Sequence, residues 1–296
     1  MPNPEKIDFH MHSTVSDGTD SPEELLALVR DAGITLFSLT DHDAVKGSLL
    51  IQKIRKEDDP RFLTGVELSC RDELGKYHIL GYGYDPEAAS VKDMIARGHG
   101  IRMKKVQDRI LRLGEQFGIE IPEQEAGKLL LLDNPGKPHI ANLMVRLGFV
   151  KTKEEAMKQY LNRMNLRSEY IRPEEAIRAI LDGGGIPVLA HPSYGSGSEI
   201  ITGEEMEERI RRLTEAGLQG VEAFYSGFTD KLIREILSFA DRYGLFVTAG
   251  SDYHGKNKLI PLGDTNLSPG EEYPDGLKRF LKEAERRMEQ KPGPLE

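Results

Sequence analysis

"KIDFHMHSTVSDGTDSPEELLALVRDAGITLFSLTDHD", residues 6–43, holds two short apolar runs with a helical signature between them. "KIDFHMH" and "TLFSLTDH" have the length and β-branched or aromatic content of strands. Between them Ser21 can cap a helix, Pro22 suits its first turn, and Glu24 completes a capping box. Gly33 supplies the stop. Working outward, "FLTGVELSC", "YHILGYGY", "IPVLAHP", "GVEAFY" and "LFVTAGSD" read as further strands, and "EEMEERIRRLTEAG" and "DKLIREILSFADRYG" as further helices. Several runs are continuously apolar, as strands covered on both faces are. Helix, loop and strand in repetition imply an α/β layout, and about seven strands favour closure toward a barrel.

The stretch from Ser90 to Tyr170 breaks this rhythm and reads as helices alone. The expected organisation is a frame of residues 1–90 and 170–290 with a helical insertion, 91–169, that caps the active site. No fixed-period repeat and no low-complexity linker occurs. The tail from Lys291, "KPGPLE", reads as frayed.

The 296 residues are 38% hydrophobic and 30% charged, enough for a sizeable core. A net charge of −9 disfavours broad nonspecific nucleic-acid binding but allows a local basic pocket. Cys70 is the only cysteine, which excludes an internal disulfide and suits a reducing compartment. The N-terminus lacks the pattern of a secretion signal, and no apolar run is long enough to span a bilayer. A cytoplasmic protein, with no membrane and no stable protein partner, is expected.

Position singles out the polar residues. His12 ends the first strand, Asp41 and His42 the second, and Glu67 lies late in the third. His78 sits within the fourth, His191 ends "IPVLAH", and Asp252 and His254 follow "LFVTAGS". The carboxyl ends of parallel strands converge on the face where α/β barrels build active sites. His10 and His12 flank one residue, so on a strand both point the same way, with Cα atoms roughly 6.5–7 Å apart. With Asp17 nearby, so many ionisable groups would repel one another or stay unsatisfied without cations among them. Mixed imidazole and carboxylate donors suit manganese, zinc or iron.

"HMHSTVSDG", "TDHD", "GVE", "HILGY", "AHP" and "GSDYHG", in that order, resemble the PHP (polymerase and histidinol phosphatase) superfamily of metal-dependent phosphoesterases. The resemblance covers most of the chain. It implies a distorted (β/α)7 barrel and three divalent metal ions. His10, His12, Glu67 and Asp252 would hold one. Glu67 would bridge to a second, held also by His78 and His191, and Asp17, His42 and His254 would hold the third. Asp17, Glu67, His191 and His254 are the expected catalytic residues. The implied chemistry is direct attack on phosphorus by a metal-bound hydroxide, without a phosphoenzyme.

The insertion resembles that of small stand-alone PHP proteins in which "RPH" opens a helix. Here the triplet is Lys137-Pro138-His139, which keeps the charge and loses the bidentate fork. That subgroup implies a phosphorylated nucleotide as ligand, a 3′,5′-bisphosphonucleoside above all, and action on the 5′ ends of short 5′-phosphorylated RNA. Arg102, Lys137, His139 and Ser193 are the expected substrate binders; Lys137 and His139 sit at a helix start, a place suited to phosphate. Arg109 reads as part of a solvated helix face.

Asp41 reads as an acceptor that orients a metal-bound histidine, and Asp43 as that or a helix cap. Asp8 and Glu222 read as structural, His99 as exposed and Cys70 as packed beside its strand. Histidinol phosphate hydrolysis and an amidohydrolase-type reaction are the enzymatic alternatives. A metal-binding structural module is the non-enzymatic one.

Overall fold

A computed structural model describes residues 6–164, 166, 169–195, 200–267 and 272–289. The tail from Lys291 lies outside them. The chain opens with β1 (Ile7–Asp8), α1 (Pro22–Asp31), β2 (Leu36–Phe37), α2 (Lys46–Ile54) and β3 (Arg61–Phe62). The α1 start follows its sequence signature: Ser21 accepts from Glu24 N, and the Glu24 side chain accepts from Ser21 N. β4 (Gly65–Asp72) and β5 (Gly75–Tyr82) follow. Then come α3 (Ala89–Phe117), α4 (Glu123–Leu130), α5 (Lys137–Arg146), α6 (Lys153–Glu155) and a π-helical turn, Ala156–Leu161. The chain closes with α7 (Pro173–Asp182), β6 (Ile186–Leu189), α8 (Gly203–Glu215), β7 (Gly220–Tyr225), α9 (Asp230–Tyr243), β8 (Phe246–Gly250) and α10 (Asp275–Glu289).

The α/β class holds, but the strands form two sheets rather than one closed barrel. One is parallel, in the order β1-β2-β3; the other runs β4-β5-β6-β7-β8. They meet at two seams. At one, Phe9 N donates to Ala249 O (2.9 Å) and Asp252 N to His10 O (2.8 Å). At the other, His42 bridges Glu67, and Asp43 N donates to Glu67 O (2.9 Å). Asp43, His191 and Asp252 have φ of 48°, 26° and 55°, which turns the backbone out of the extended region where the site begins. Non-glycine residues hold such angles only where their surroundings impose them, at about 1–3 kcal/mol each.

Two strand expectations need correction. "FLTGVELSC" is two strands, β3 and β4, so eight strands are present among the described residues. His78 is not at the carboxyl end of a parallel strand. β5 pairs antiparallel with both β4 and β6, and His78 stands opposite Ser69 in a hairpin. Asp72 Oδ1 makes the turn by accepting from Leu74 N (2.8 Å) and Gly75 N (3.2 Å).

β6, β7 and β8 are buried along nearly their whole length, as their apolar runs require. Phe280 of α10 packs edge-on to Phe9 at 5.0 Å, which ties the last helix to the strand that carries the first histidines. The helices between Ala89 and Leu161 bury a cluster of their own, including Val106, Leu113, Ile140 and Met144, apart from the main core. Among the described residues no helix is long and apolar enough to cross a membrane.

Candidate metal centre

The chain continuing from β1 carries His10 and His12, both fully buried, with ring centroids 5.3 Å apart. Period-two alternation brings them to one side, as their spacing requires. Glu67 of β4 stands at the middle of the site. Its Oε1 lies 2.8 Å from His78 Nδ1, 3.3 Å from His191 Nε2 and 3.4 Å from His10 Nε2. Its Oε2 lies 2.9 Å from His42 Nδ1 and 3.2 Å from His12 Nε2. Asp252 Oδ1 is 3.3 Å from His12 Nε2 and 3.5 Å from His10 Nε2. Asp17 Oδ1 is 3.3 Å from His254 Nε2 and 3.9 Å from His42 Nε2.

All nine residues singled out as metal ligands therefore meet in one place. Four overlapping groups bring ligand atoms within 4.8 Å of one another: His12, Asp17, His42 and His254; His10, His12 and Glu67; His10, His191 and Asp252; His42, Glu67 and His78. The groups share His10, His12, His42 and Glu67, so the centre interlocks rather than dividing into separate pockets.

The chemistry of these atoms fits cations. His10 Nε2, His12 Nε2, Asp17 Oδ1, His42 Nδ1, Glu67 Oε2 and His191 Nδ1 are buried without a hydrogen-bond partner. Each such group costs about 1–3 kcal/mol when left unsatisfied, and native interiors hold few of them. All six belong to residues of the four overlapping groups, a donor set that suits cations.

Charge tells the same story. Burial works to raise the Glu67 pKa, but the imidazoles of His42, His78 and His10 hold it well below the usual range. Asp17 is likewise driven down against burial by His42, His254 and Arg102, and Asp252 by Lys258, His10 and His254. Burial disfavours a proton on His12, yet Asp252 and Glu67 push its pKa up to about 9. Burial prevails at His42, which falls to about 4. A proton on His12 occupies the lone pair that a metal needs, so loading displaces it. Apparent metal affinity should therefore rise with pH up to about 9. Calorimetry at pH 7 in buffers of different ionisation enthalpy should register proton release on metal addition. A heat independent of the buffer would count against it.

Several supports were not visible as such in the sequence. Glu222, read as structural, accepts from His10 Nδ1 (2.9 Å) and from His191 N (2.8 Å). That bond fixes the His10 tautomer with Nε2 toward Glu67 and Asp252. Its signal was a carboxylate inside an otherwise apolar strand. Gly250 leaves the space: a Cβ there would lie 2.2 Å from His10 Cβ and 2.4 Å from Glu222 Oε1. Glu222→Gln should lower metal affinity by about 10–100-fold, the usual cost of losing a carboxylate behind a ligand histidine; metal-competition titration checks it.

Asp41 accepts from Ser13 N, Ser13 Oγ and Ser16 Oγ at 2.7–2.8 Å, and Ser16 Oγ lies 3.4 Å from His12 Nδ1. Its orienting role thus runs through a serine. His254 Nδ1 is 2.8 Å from Asp252 O, which turns Nε2 toward Asp17. Lys258 Nζ contacts Asp252 Oδ2, which also accepts from Tyr225 OH (2.9 Å). Asp8 is buried among Ser251, Gly263 N and His10 N, a structural role as read, and burial raises its pKa to about 6. Cys70 is buried and its thiol pushed well up. His99 is exposed.

A cavity of about 410 Å³ opens from the histidine cluster. His42, His78 and His191 line it, as do Lys76, Lys105, Arg109 and Lys137. Burial, with Arg109, Lys76 and Lys105 nearby, lowers the Lys137 pKa to about 8. Burial and Arg102 lower Arg109 to about 10. Arg109 is therefore no solvated-face residue: it lines the cavity, and its Nε is buried without a partner. α3 is packed over the site, which its polar periodicity did not reveal.

The other expected substrate binders divide. Lys137 lines the cavity and donates to Asn162 Oδ1 (2.7 Å). Arg102 lines it too but is engaged by Pro135 O (3.1 Å) and Asp43 Oδ2 (3.2 Å), with Asp17 Oδ2 3.8 Å away. Asp43 also accepts from Ser69 N (2.9 Å), so it anchors α3 to β4 rather than capping α2. His139 closes the α5 start by accepting from Gly136 N (3.1 Å) and faces a neighbouring cleft. Ser193 is fully buried and its hydroxyl has no partner.

An interlocked imidazole and carboxylate centre on an α/β frame, with a cationic cavity leading from it, is the arrangement that metal-dependent hydrolysis of an anionic ester requires. The chain belongs to the PHP domain family, whose sequence model matches residues 8–216. It is 29% identical over 265 residues to a 5′-3′ exoribonuclease of Haemophilus influenzae, covering 87% of this chain and 93% of the relative. It is 28% identical over 294 residues to a 3′,5′-nucleoside bisphosphate phosphatase of Chromobacterium violaceum, covering 95% and 97%. A crystal structure from Bifidobacterium adolescentis, described as a metal-dependent phosphoesterase, superposes with a TM-score of 0.80 at 26% identity, covering 97% and 98%.

Proposed function

We propose that the protein hydrolyses phosphate monoesters of nucleotides, 3′,5′-bisphosphonucleosides first among them. The observation that carries this reading is the cavity itself. It joins the histidine cluster at one side to Lys76, Lys105, Arg109 and Lys137 at the other. The one acidic side chain among its lining residues, Asp43, is already committed to Ser69 and Arg102. A ligand with one phosphate at the metal centre and a second among the cations satisfies both ends.

In this reading residues 1–90 and 170–290 form the catalytic frame and 91–169 its helical cap. His10, His12, Glu67 and Asp252 hold one metal; Glu67, His78 and His191 a second; Asp17, His42 and His254 a third. Divalent ions held there would neutralise phosphoryl oxygens and acidify a water. The chain's own groups do the rest. Glu222 and Asp41 hold His10 and His12 in orientation, and Lys258 keeps Asp252 ionised. Arg109 and Lys137 bind the distal phosphate and so place the scissile one. Short 5′-phosphorylated RNA could enter the same cavity by its terminal phosphate.

The test is phosphate release with manganese from adenosine 3′,5′-bisphosphate, beside AMP, histidinol phosphate and a short 5′-phosphorylated RNA. The expected result is preference for the bisphosphate with loss of its 3′ phosphate. Preference for histidinol phosphate would replace this reading. Bound metal with no turnover of any ester would favour a structural module.

A further inference from the structure

We infer that the ring of Tyr194 is the surface on which the base of the nucleotide stacks, and so the residue that separates nucleotides from base-free sugar phosphates. This rests on the nucleotide phosphoesterase reading above. Tyr194 lies three residues past His191, in "AHPSY", and lines the same cavity. It is 36% exposed, whereas its aromatic neighbours Tyr225 and Phe228 are 4% and 6% exposed. Tyr77 and Ile171 also line the cavity but are 5% and 1% exposed, so they offer a base little surface.

The Tyr194 ring is held in place. Its centroid is 5.6 Å from Tyr225, 5.7 Å from Phe228 and 5.9 Å from His191. The hydroxyl reaches Gly227 O at 3.5 Å, and a Cβ at position 227 would crowd it at 2.6 Å. Tyr194 N donates to His191 O (2.9 Å), which ties the residue to a candidate metal ligand. A rigid aromatic with an uncovered part beside a charged cavity is matched by a flat uncharged partner. The phosphates of the ligand belong with the cations and metals; the base is the remaining part.

The chain has no tryptophan, so Tyr194→Trp introduces a single one at this spot, which can be excited apart from the tyrosines. Adenosine 3′,5′-bisphosphate should quench its emission, and ribose 3,5-bisphosphate should not. Tyr194→Ala should raise KM for the nucleotide roughly 5–100-fold, the range typical of losing one base-aromatic stack. It should leave KM for ribose 3,5-bisphosphate unchanged, and Tyr194→Phe should behave as wild type. Equal quenching by both ligands or by neither, or an equal rise in both KM values, would overturn the inference. Phosphate release by the unaltered protein is scored separately. If release persists while the base has no effect, stacking fails and the phosphoesterase reading stands. If neither ester is hydrolysed, that reading fails, and the quenching contrast alone decides whether a base stacks here.

Discussion

Glu67→Gln is expected to lower turnover of every phosphate ester by at least about 100-fold and to reduce the metal content of the purified protein. Even groups that only support a metal ligand cost 10–100-fold when lost, and Glu67 is more central than that. Its two oxygens face five imidazoles within 3.4 Å. Glutamine keeps the shape and removes the charge. The amide nitrogen would then point a donor at a space that needs acceptors. Elemental analysis after gel filtration and a phosphate-release assay check both halves. Unchanged metal content with full turnover would remove Glu67 from the centre of the chemistry.

The second large effect concerns the cationic cavity and should fall on binding alone. Lys137→Ala is expected to raise KM for adenosine 3′,5′-bisphosphate by roughly 10–100-fold, the range for a hydrogen bond to a charged group in a partly buried site. Turnover of p-nitrophenyl phosphate, which has no second phosphate, should hardly change. A parallel loss on both esters would place Lys137 in the folding of α5 instead.

Its pH dependence follows from the lowered pKa. Lys137 titrates near 8 in the folded chain against its usual 10.5. Its charge is half lost where pH equals that value, so KM for the bisphosphate should climb as pH rises through about 8. Lys137→Arg should flatten that climb, leaving only the part that Lys76 and Lys105 contribute, since burial lowers their pKa values too. The sign for stability is opposite to that of a paired lysine. Between pH 8 and 10.5 the unfolded chain holds the extra proton, so this residue's contribution to stability increases with pH across that window.

Much of this centre was legible one residue at a time. The period-two spacing of His10 and His12, and the placement of Asp41, His42, Glu67, His191 and Asp252 late in apolar runs, needed only strand geometry and chain order. Helix α1 was likewise written in Ser21, Pro22 and Glu24, because capping is a local interaction between residues a few positions apart.

What stayed hidden depended on partners far along the chain. Glu222 reads as one odd carboxylate in an apolar strand until β7 is laid beside β8 and His10 arrives from 212 residues away. Arg109 looks like a surface residue because helical periodicity shows which side is polar, not what is packed over that side. The hairpin that carries His78 was missed because an apolar run does not state its direction. Closure is hidden for a related reason: apolar runs give the number of strands, not whether the first and last of them share one continuous ladder. Chain order and residue type were enough to single out the imidazoles and carboxylates that a metal centre needs and the α/β order of the elements, because both are local properties of the chain. Which donors come together, which carboxylates orient them and which cations line the cavity emerge only on packing, because burial and distance between remote residues exist only once the chain is folded.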